Sequence, residues 1–168
     1  MGQMDGKWDK VLELFYEEPD KSFTVREIAQ KTKIPKSTVQ RHLTELRTKH
    51  IVSEDNRAVI FPIFKIKKTN HYIEKLFESG LIEFLEKYLT PSCIILFGSF
   101  RKGESVNESD IDIFAETTKK VGINLTSFEK KIGHNIQLFR EKNINDLPDR
   151  LFNNIVNGIK LSGFFKIR

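Results

Sequence analysis

The sequence predicts an α+β chain of two domains: a small helical domain with a short hairpin, then a mixed β-sheet packed with helices. Three observations carry this. Apolar residues recur at helical spacing from Trp8 to Leu46, a polar and basic stretch follows at Lys65–Asn70, and beyond it helical segments alternate with short apolar runs such as Cys93–Phe97.

In order along the chain, Trp8, Val11, Leu12 and Phe15 place a helix over Lys7–Tyr16 that ends before Pro19. Thr24 followed by Glu27 forms a capping box, so a second helix is expected over Val25–Lys31 with Ile28 and Ala29 on its apolar side. Thr32–Pro35 breaks the chain, and Val39, Leu43 and Leu46 then share the stripe of a third helix. Ile51–Ser53 and Ala58–Phe61 read as short β runs around the turn-rich Glu54–Arg57. Three helices and a hairpin make a winged helix-turn-helix. The domain boundary is expected in the polar Lys65–Asn70 stretch, giving domains over 1–68 and 69–168. One long helix over His71–Leu89, stopped by Pro91, is followed by a strand at Cys93–Phe97 and a short helix or loop at Ser99–Glu108. A strand at Asp112–Glu116, a helix at Thr126–Ile132, a strand at Asn135–Arg140 and a last helix over about Pro148–Leu161 complete the expectation.

The 168 residues carry a formal net charge of +5, which permits contact with a polyanion without establishing it. The excess lies at the front: 14 basic against 10 acidic residues through Asn70, and 14 against 13 from His71 onward. Cys93 is the single cysteine, so no intrachain disulfide can form, and its apolar surroundings favour a buried thiol over a nucleophile. No segment approaches the ~18 uncharged apolar residues of a membrane span, and the first ten residues do not read as a signal peptide. A cytoplasmic protein without a membrane partner is expected.

The stretch Ser22–Glu54, SFTVREIAQKTKIPKSTVQRHLTELRTKHIVSE, resembles the helix-turn-helix of bacterial and archaeal winged-helix transcription regulators over roughly residues 7–66. The resemblance implies that Lys36, Ser37, Thr38, Gln40 and Arg41 face double-stranded DNA from the third helix and that Arg57 contacts it from the hairpin. Gln can pair with adenine and Arg with guanine in the major groove. A solvated face on a helix that meets another protein is the other reading.

The second signal is LFGSFRKGESVNESDIDIF, Leu96–Phe114. Asp110 and Asp112 are one residue apart, so on a strand both side chains emerge on one face, where their repulsion is relieved by a hard divalent cation, Mg²⁺ or Mn²⁺. Two solvated acids at a polar strand end would show the same spacing. Upstream, Gly98-Ser99 closes the apolar run and Gly103 follows, a combination that lets backbone N–H groups approach a phosphate.

Gly98-Ser99, ten residues, Asp110, one residue, Asp112, flanked by Lys102-Gly103 and Ser109, is similar to the signature of minimal nucleotidyltransferases of the polymerase-β superfamily. The resemblance runs from about His71 to Gly163, with LFNNIVNGIKLSG taken as a closing helix. It implies Asp110 and Asp112 as catalytic metal ligands, with Gly98, Ser99, Lys102, Gly103 and Ser109 around a nucleoside triphosphate. An acceptor hydroxyl would attack the α-phosphorus and release pyrophosphate. Members commonly carry a third carboxylate on a later strand; here that position falls on Gln137, with Glu141 four residues further on. His42, His50, His71 and His134 are scattered without metal-ligand spacing.

The leading expectation is therefore a Mg²⁺-dependent nucleotidyltransferase coupled to a DNA-binding winged helix, acting on an unknown acceptor. A transcription regulator with a nucleotide-sensing or weakened domain, and the antitoxin of a toxin–antitoxin pair with a protein partner, stand beside it. A homodimer is compatible with each.

Overall fold

The computed structural model describes residues 6–167, and the chain divides into two compact units between Lys65 and Ile66. The first unit contains α1 (Gly6–Glu17), α2 (Val25–Thr32) and α3 (Lys36–Thr48). Trp8, Val11, Leu12, Phe15, Ile28, Val39, Leu43 and Leu46 are all buried, as their helical spacing requires. At the start of α2, the Glu27 N–H donates to Thr24 Oγ1 at 3.2 Å and the Thr24 N–H donates to Glu27 Oε2 at 2.8 Å, closing the capping box. Lys33, at φ 61°, ends α2 in the left-handed region, and Ile34 anchors the turn with only 5% exposure.

The hairpin is smaller than its sequence suggests. Val52 and Ala58 form an isolated antiparallel bridge, and the Ser53 N–H donates to the Arg57 carbonyl at 2.9 Å. Its tip is held instead by Asn56, whose Nδ2 donates to the Phe23 carbonyl at 2.9 Å while its own carbonyl accepts from the Phe23 N–H at 3.0 Å. The run Ala58–Phe61 cannot extend as a strand because Pro62 opens the next helix, at the position where its missing N–H costs no helical bond.

The polar stretch Lys65–Asn70, where the boundary was expected, lies inside a helix, α4 (Pro62–Glu78), and the division between the units falls at its start. Lys68 and Thr69 are not solvated there: they are 1% and 6% exposed. Lys68 Nζ donates to the Ser105 carbonyl, and Thr69 Oγ1 donates to the carbonyls of Phe100 and Arg101 at 3.0 and 3.3 Å. The single helix expected over His71–Leu89 is likewise two, α4 and α5 (Leu81–Leu89), separated by Gly80 at φ 82°. Ser79 completes the break, its hydroxyl donating to the Leu76 carbonyl at 2.8 Å and accepting the Leu81 N–H at 3.2 Å.

The sheet of the second unit contains β1 (Cys93–Phe97), β2 (Ile111–Glu116), β3 (Ile136–Glu141) and β4 (Ile159–Gly163), in the order β3-β2-β1-β4. β2 runs antiparallel to β1 and parallel to β3. Between strands lie α6 (Gly98–Lys102), α7 (Thr126–Ile132) and α8 (Asp149–Val156). On one sheet face Cys93, Ile95, Phe97 and Phe114 form a core with Ile144 and Ile155, against which Phe139, Leu151 and Phe152 pack. Burial pushes the Cys93 thiol up to about 11, with the Glu116 charge adding to it, so the cysteine remains protonated at neutral pH.

The closing helix expected over Pro148–Leu161 is α8 followed by β4. Gly158 explains the break. A Cβ there would lie 2.4 Å from Ile95 Cγ2 and 2.7 Å from the Leu96 carbonyl oxygen, so only glycine lets the chain cross this close to β1. Strand β4 then adds to the free edge of β1, pairing Ile159 with Leu96 and Gly163 with Cys93. Among the described residues no helix is long and apolar enough to cross a membrane.

Candidate active site and nucleic-acid face

β1 leaves the core at Phe97, and Gly98, at φ 70°, turns it directly into α6. Opposite Phe97 in the antiparallel register stands Asp112. The two meet closely: a Cβ on Gly98 would be 2.0 Å from Asp112 Oδ2 and 3.0 Å from its Cγ. The carboxylate thus occupies the space that any other residue at position 98 would fill, which gives the glycine a reason beyond its backbone angle.

Asp112 is half-buried, and its carboxyl is held above the ordinary carboxylate range, first by burial and then by the charge of Asp110. Asp110 is exposed, and its Oδ1 accepts from Asn135 Nδ2 at 3.2 Å. Two neighbouring carboxylates in this condition suit a cation that compensates both, with the remaining oxygen ligands coming from elsewhere. Among the described residues no group of three or more His, Cys, Asp or Glu side chains could hold a metal by itself.

In the parallel pair, Asp112 is in register with Gln137, whose side chain is exposed. Glu141 is in register with Glu116, at the other end of the strands. The amide therefore stands beside Asp112 and the acid does not.

The remaining expected site residues divide by their tasks. Gly103, at φ 66°, caps α6, and its N–H donates to the Phe100 carbonyl at 3.2 Å. Ser99 lies half-buried in the first turn, its carbonyl accepting the Glu104 N–H at 3.0 Å. Lys102 is exposed. The Ser109 hydroxyl accepts the Val106 N–H at 2.9 Å, so it closes the loop before Asp110. Sequence reasoning missed three supports of this loop. Thr69 caps the end of α6, Lys68 binds the Ser105 carbonyl, and His134 Nδ1 lies 3.0 Å from the Ser109 carbonyl with its Nε2 3.4 Å from the Tyr72 hydroxyl. Their sequence neighbourhoods carry no pattern that marks them.

In the first unit, Lys36, Ser37, Gln40 and Arg41 are exposed on α3, Thr38 is half-buried, and Val39, His42, Leu43 and Leu46 form the inner side. Trp8 meets the His42 ring edge-on at 5.2 Å between centroids. Arg57 is exposed on the hairpin and pairs loosely with Asp55 at 3.8 Å.

Residues 79–162, half of the 168-residue chain, match the family described as polymerase beta, nucleotidyltransferase. Residues 10–55 match the IclR helix-turn-helix domain. Comparison with curated proteins and with solved structures finds no match. The first match takes in the Gly98 turn, the Asp110–Asp112 pair and the strand bearing Gln137; the second takes in α2 and α3. The chain belongs to the polymerase beta nucleotidyltransferase family and carries an IclR-type helix-turn-helix domain ahead of it.

Proposed function

We propose that this protein transfers a nucleoside monophosphate from a nucleoside triphosphate to an acceptor hydroxyl, and that its helix-turn-helix domain brings this activity to double-stranded DNA. The observation that carries the reading is the Asp112 carboxylate packed against Gly98, with Asp110 beside it. Asp110 and Asp112 would hold Mg²⁺ or Mn²⁺, and the backbone at Gly98 and Ser99 would hold the triphosphate. Such a cation, when bound, supplies compensation of the negative charge on the phosphoryl oxygens. The Ser99 hydroxyl and the exposed Lys102 ammonium would bind phosphate oxygens, while Gly103 caps α6 and the Ser109 hydroxyl closes the loop before Asp110.

In this reaction the acceptor oxygen forms a bond to the α-phosphorus, the bond from that phosphorus to the bridging oxygen breaks, and pyrophosphate leaves. The hydroxyl proton departs to solvent. Incubation with labelled nucleoside triphosphates, Mg²⁺ and candidate acceptors is the test. Label transfer that disappears in Asp110→Asn and Asp112→Asn is expected. Absence of both transfer and triphosphate binding, with these variants indistinguishable from the parent, would overturn the reading.

A second reading is favoured by one observation, the amide of Gln137 in register beside Asp112. A neutral amide is a weak ligand for Mg²⁺ compared with a carboxylate. In this reading the domain binds a nucleotide without turnover and regulates DNA binding through Lys36, Ser37, Thr38, Gln40, Arg41 and Arg57. Gln137→Asp discriminates: a large gain in turnover supports the regulator, and an unchanged rate supports the enzyme.

A further inference from the structure

Thr117–Lys120 leave the end of β2 and Arg140–Lys142 close the end of β3, and because these strands are parallel both ends lie on the same side of the sheet. Together the two segments line a groove of about 550 Å³. It is not the site described above. Asp112 is the second residue of β2 and Glu116 its last, so the two sites are ~13 Å apart at ~3.3 Å per residue.

Lys119, Lys120, Arg140 and Lys142 converge on this groove against a single carboxylate, Glu141. Among the described residues none of these cations enters an ion pair. The convergence does not reflect a general excess of positive charge, since the chain from His71 onward is nearly balanced. Four cations gathered against one carboxylate repel one another, and an anion relieves that. The groove is also built: Arg140 Nη1 donates to the Val121 carbonyl at 2.6 Å, and Thr117 Oγ1 donates to the Leu89 carbonyl at 2.7 Å and accepts the Lys119 N–H at 3.1 Å. These bonds hold the basic loop against the strand.

Its lining contains no aromatic or large apolar side chain. A free nucleotide would find no surface for its base, whereas a chain of phosphates needs only charge. We propose that this groove binds the phosphodiester backbone of a nucleic-acid strand without sequence preference. The contact is separate from the one expected of α3, and it stands whether or not Asp110 and Asp112 catalyse.

The test uses the full chain with Lys36→Ala and Arg41→Ala, which removes the two basic side chains of α3 expected to face DNA, and a labelled single-stranded oligonucleotide of about 20 residues. Anisotropy is followed from about 50 to 200 mM salt, where counterion release makes backbone contacts visible. Lys119→Ala, Lys120→Ala and Lys142→Ala together should lower affinity at least ~10-fold at the lowest salt. They should also flatten the slope of log K against log salt by about 2, at ~0.7 per phosphate contact on a single strand. Arg140 is left intact because it fixes the loop. Lys142→Glu alone should act in the same direction. Unchanged affinity and slope in the triple variant would overturn the proposal, as would displacement of the oligonucleotide by inorganic triphosphate at equal phosphate concentration, which would assign the groove to a free polyphosphate.

Discussion

Gly98→Ala tests the contact on which the candidate active site depends. The backbone at 98 has φ 70°, a region that costs a non-glycine residue ~1–2 kcal/mol. The new Cβ would also meet Asp112 Oδ2 at 2.0 Å and Cγ at 3.0 Å, which forces the carboxylate to move. Overpacking of this kind costs a further ~1–3 kcal/mol, for a total of about 3 kcal/mol. The two contributions separate in a double-mutant cycle with Asp112→Gly, which removes every Asp112 atom the Cβ would touch. In that background Gly98→Ala should cost only the backbone part. The assay is urea unfolding followed by far-UV circular dichroism in all four proteins, without divalent cations. A coupling of about 1–3 kcal/mol is expected. Additivity within ~0.5 kcal/mol would show that the Asp112 side chain does not stand against Gly98, and the reasoning about a cation and phosphate held there would fail with it.

Asp112→Asn should raise the melting temperature near neutral pH. The Asp112 carboxyl is held high in the fold, so ionising it penalises the folded state: the penalty is absent where the group is protonated in both states and complete above the folded-state value. Melts from acid to neutral pH should show the advantage of the Asn variant shrinking as pH falls through the acid range; a pH-independent difference would contradict this. Thr69→Val removes the hydroxyl donor to the Phe100 and Arg101 carbonyls inside the protein and should cost ~1–2 kcal/mol by denaturant unfolding, where an effect below ~0.3 kcal/mol would disprove the capping role. Arg41→Ala should weaken duplex binding and reduce its salt slope by about 1 if Arg41 meets phosphate, or relax preference at one base pair by ~1–3 kcal/mol if it meets a base edge. Titrations of matched and mismatched duplexes at two salt concentrations distinguish these, and equal binding by parent and variant would remove Arg41 from the interface.

Where local chemistry decides, the sequence was legible. Trp8, Val11, Leu12 and Phe15 share a face because the helical repeat puts them there, and Thr24 with Glu27 starts α2 by a contact three residues long. Thr126–Ile132 and Cys93–Phe97 were legible for the same reason. The resemblance put the place of a third carboxylate on Gln137, and the strand register sets that residue opposite Asp112. The sequence was silent or misleading where a distant partner overrides local chemistry. Lys68 and Thr69 are polar by composition and buried in the fold, because carbonyls from Phe100, Arg101 and Ser105 accept their donors. The tail Ile159–Gly163 has helical neighbours in sequence, yet it becomes a strand because Gly158 permits the crossing and β1 offers an open edge.

The sequence by itself determined the helix faces, the capping box and the shared strand face of Asp110 and Asp112, since each depends on residues a few positions apart and on the fixed periods of helix and strand. Tertiary structure alone decided that Asp112 fills the space beside Gly98, that Thr69 and Lys68 brace the intervening loop, and that four cations gather at the far end of β2 and β3. Those relations join residues 14 to 37 positions apart, and a distance of that kind is set by packing and strand register rather than by any local pattern.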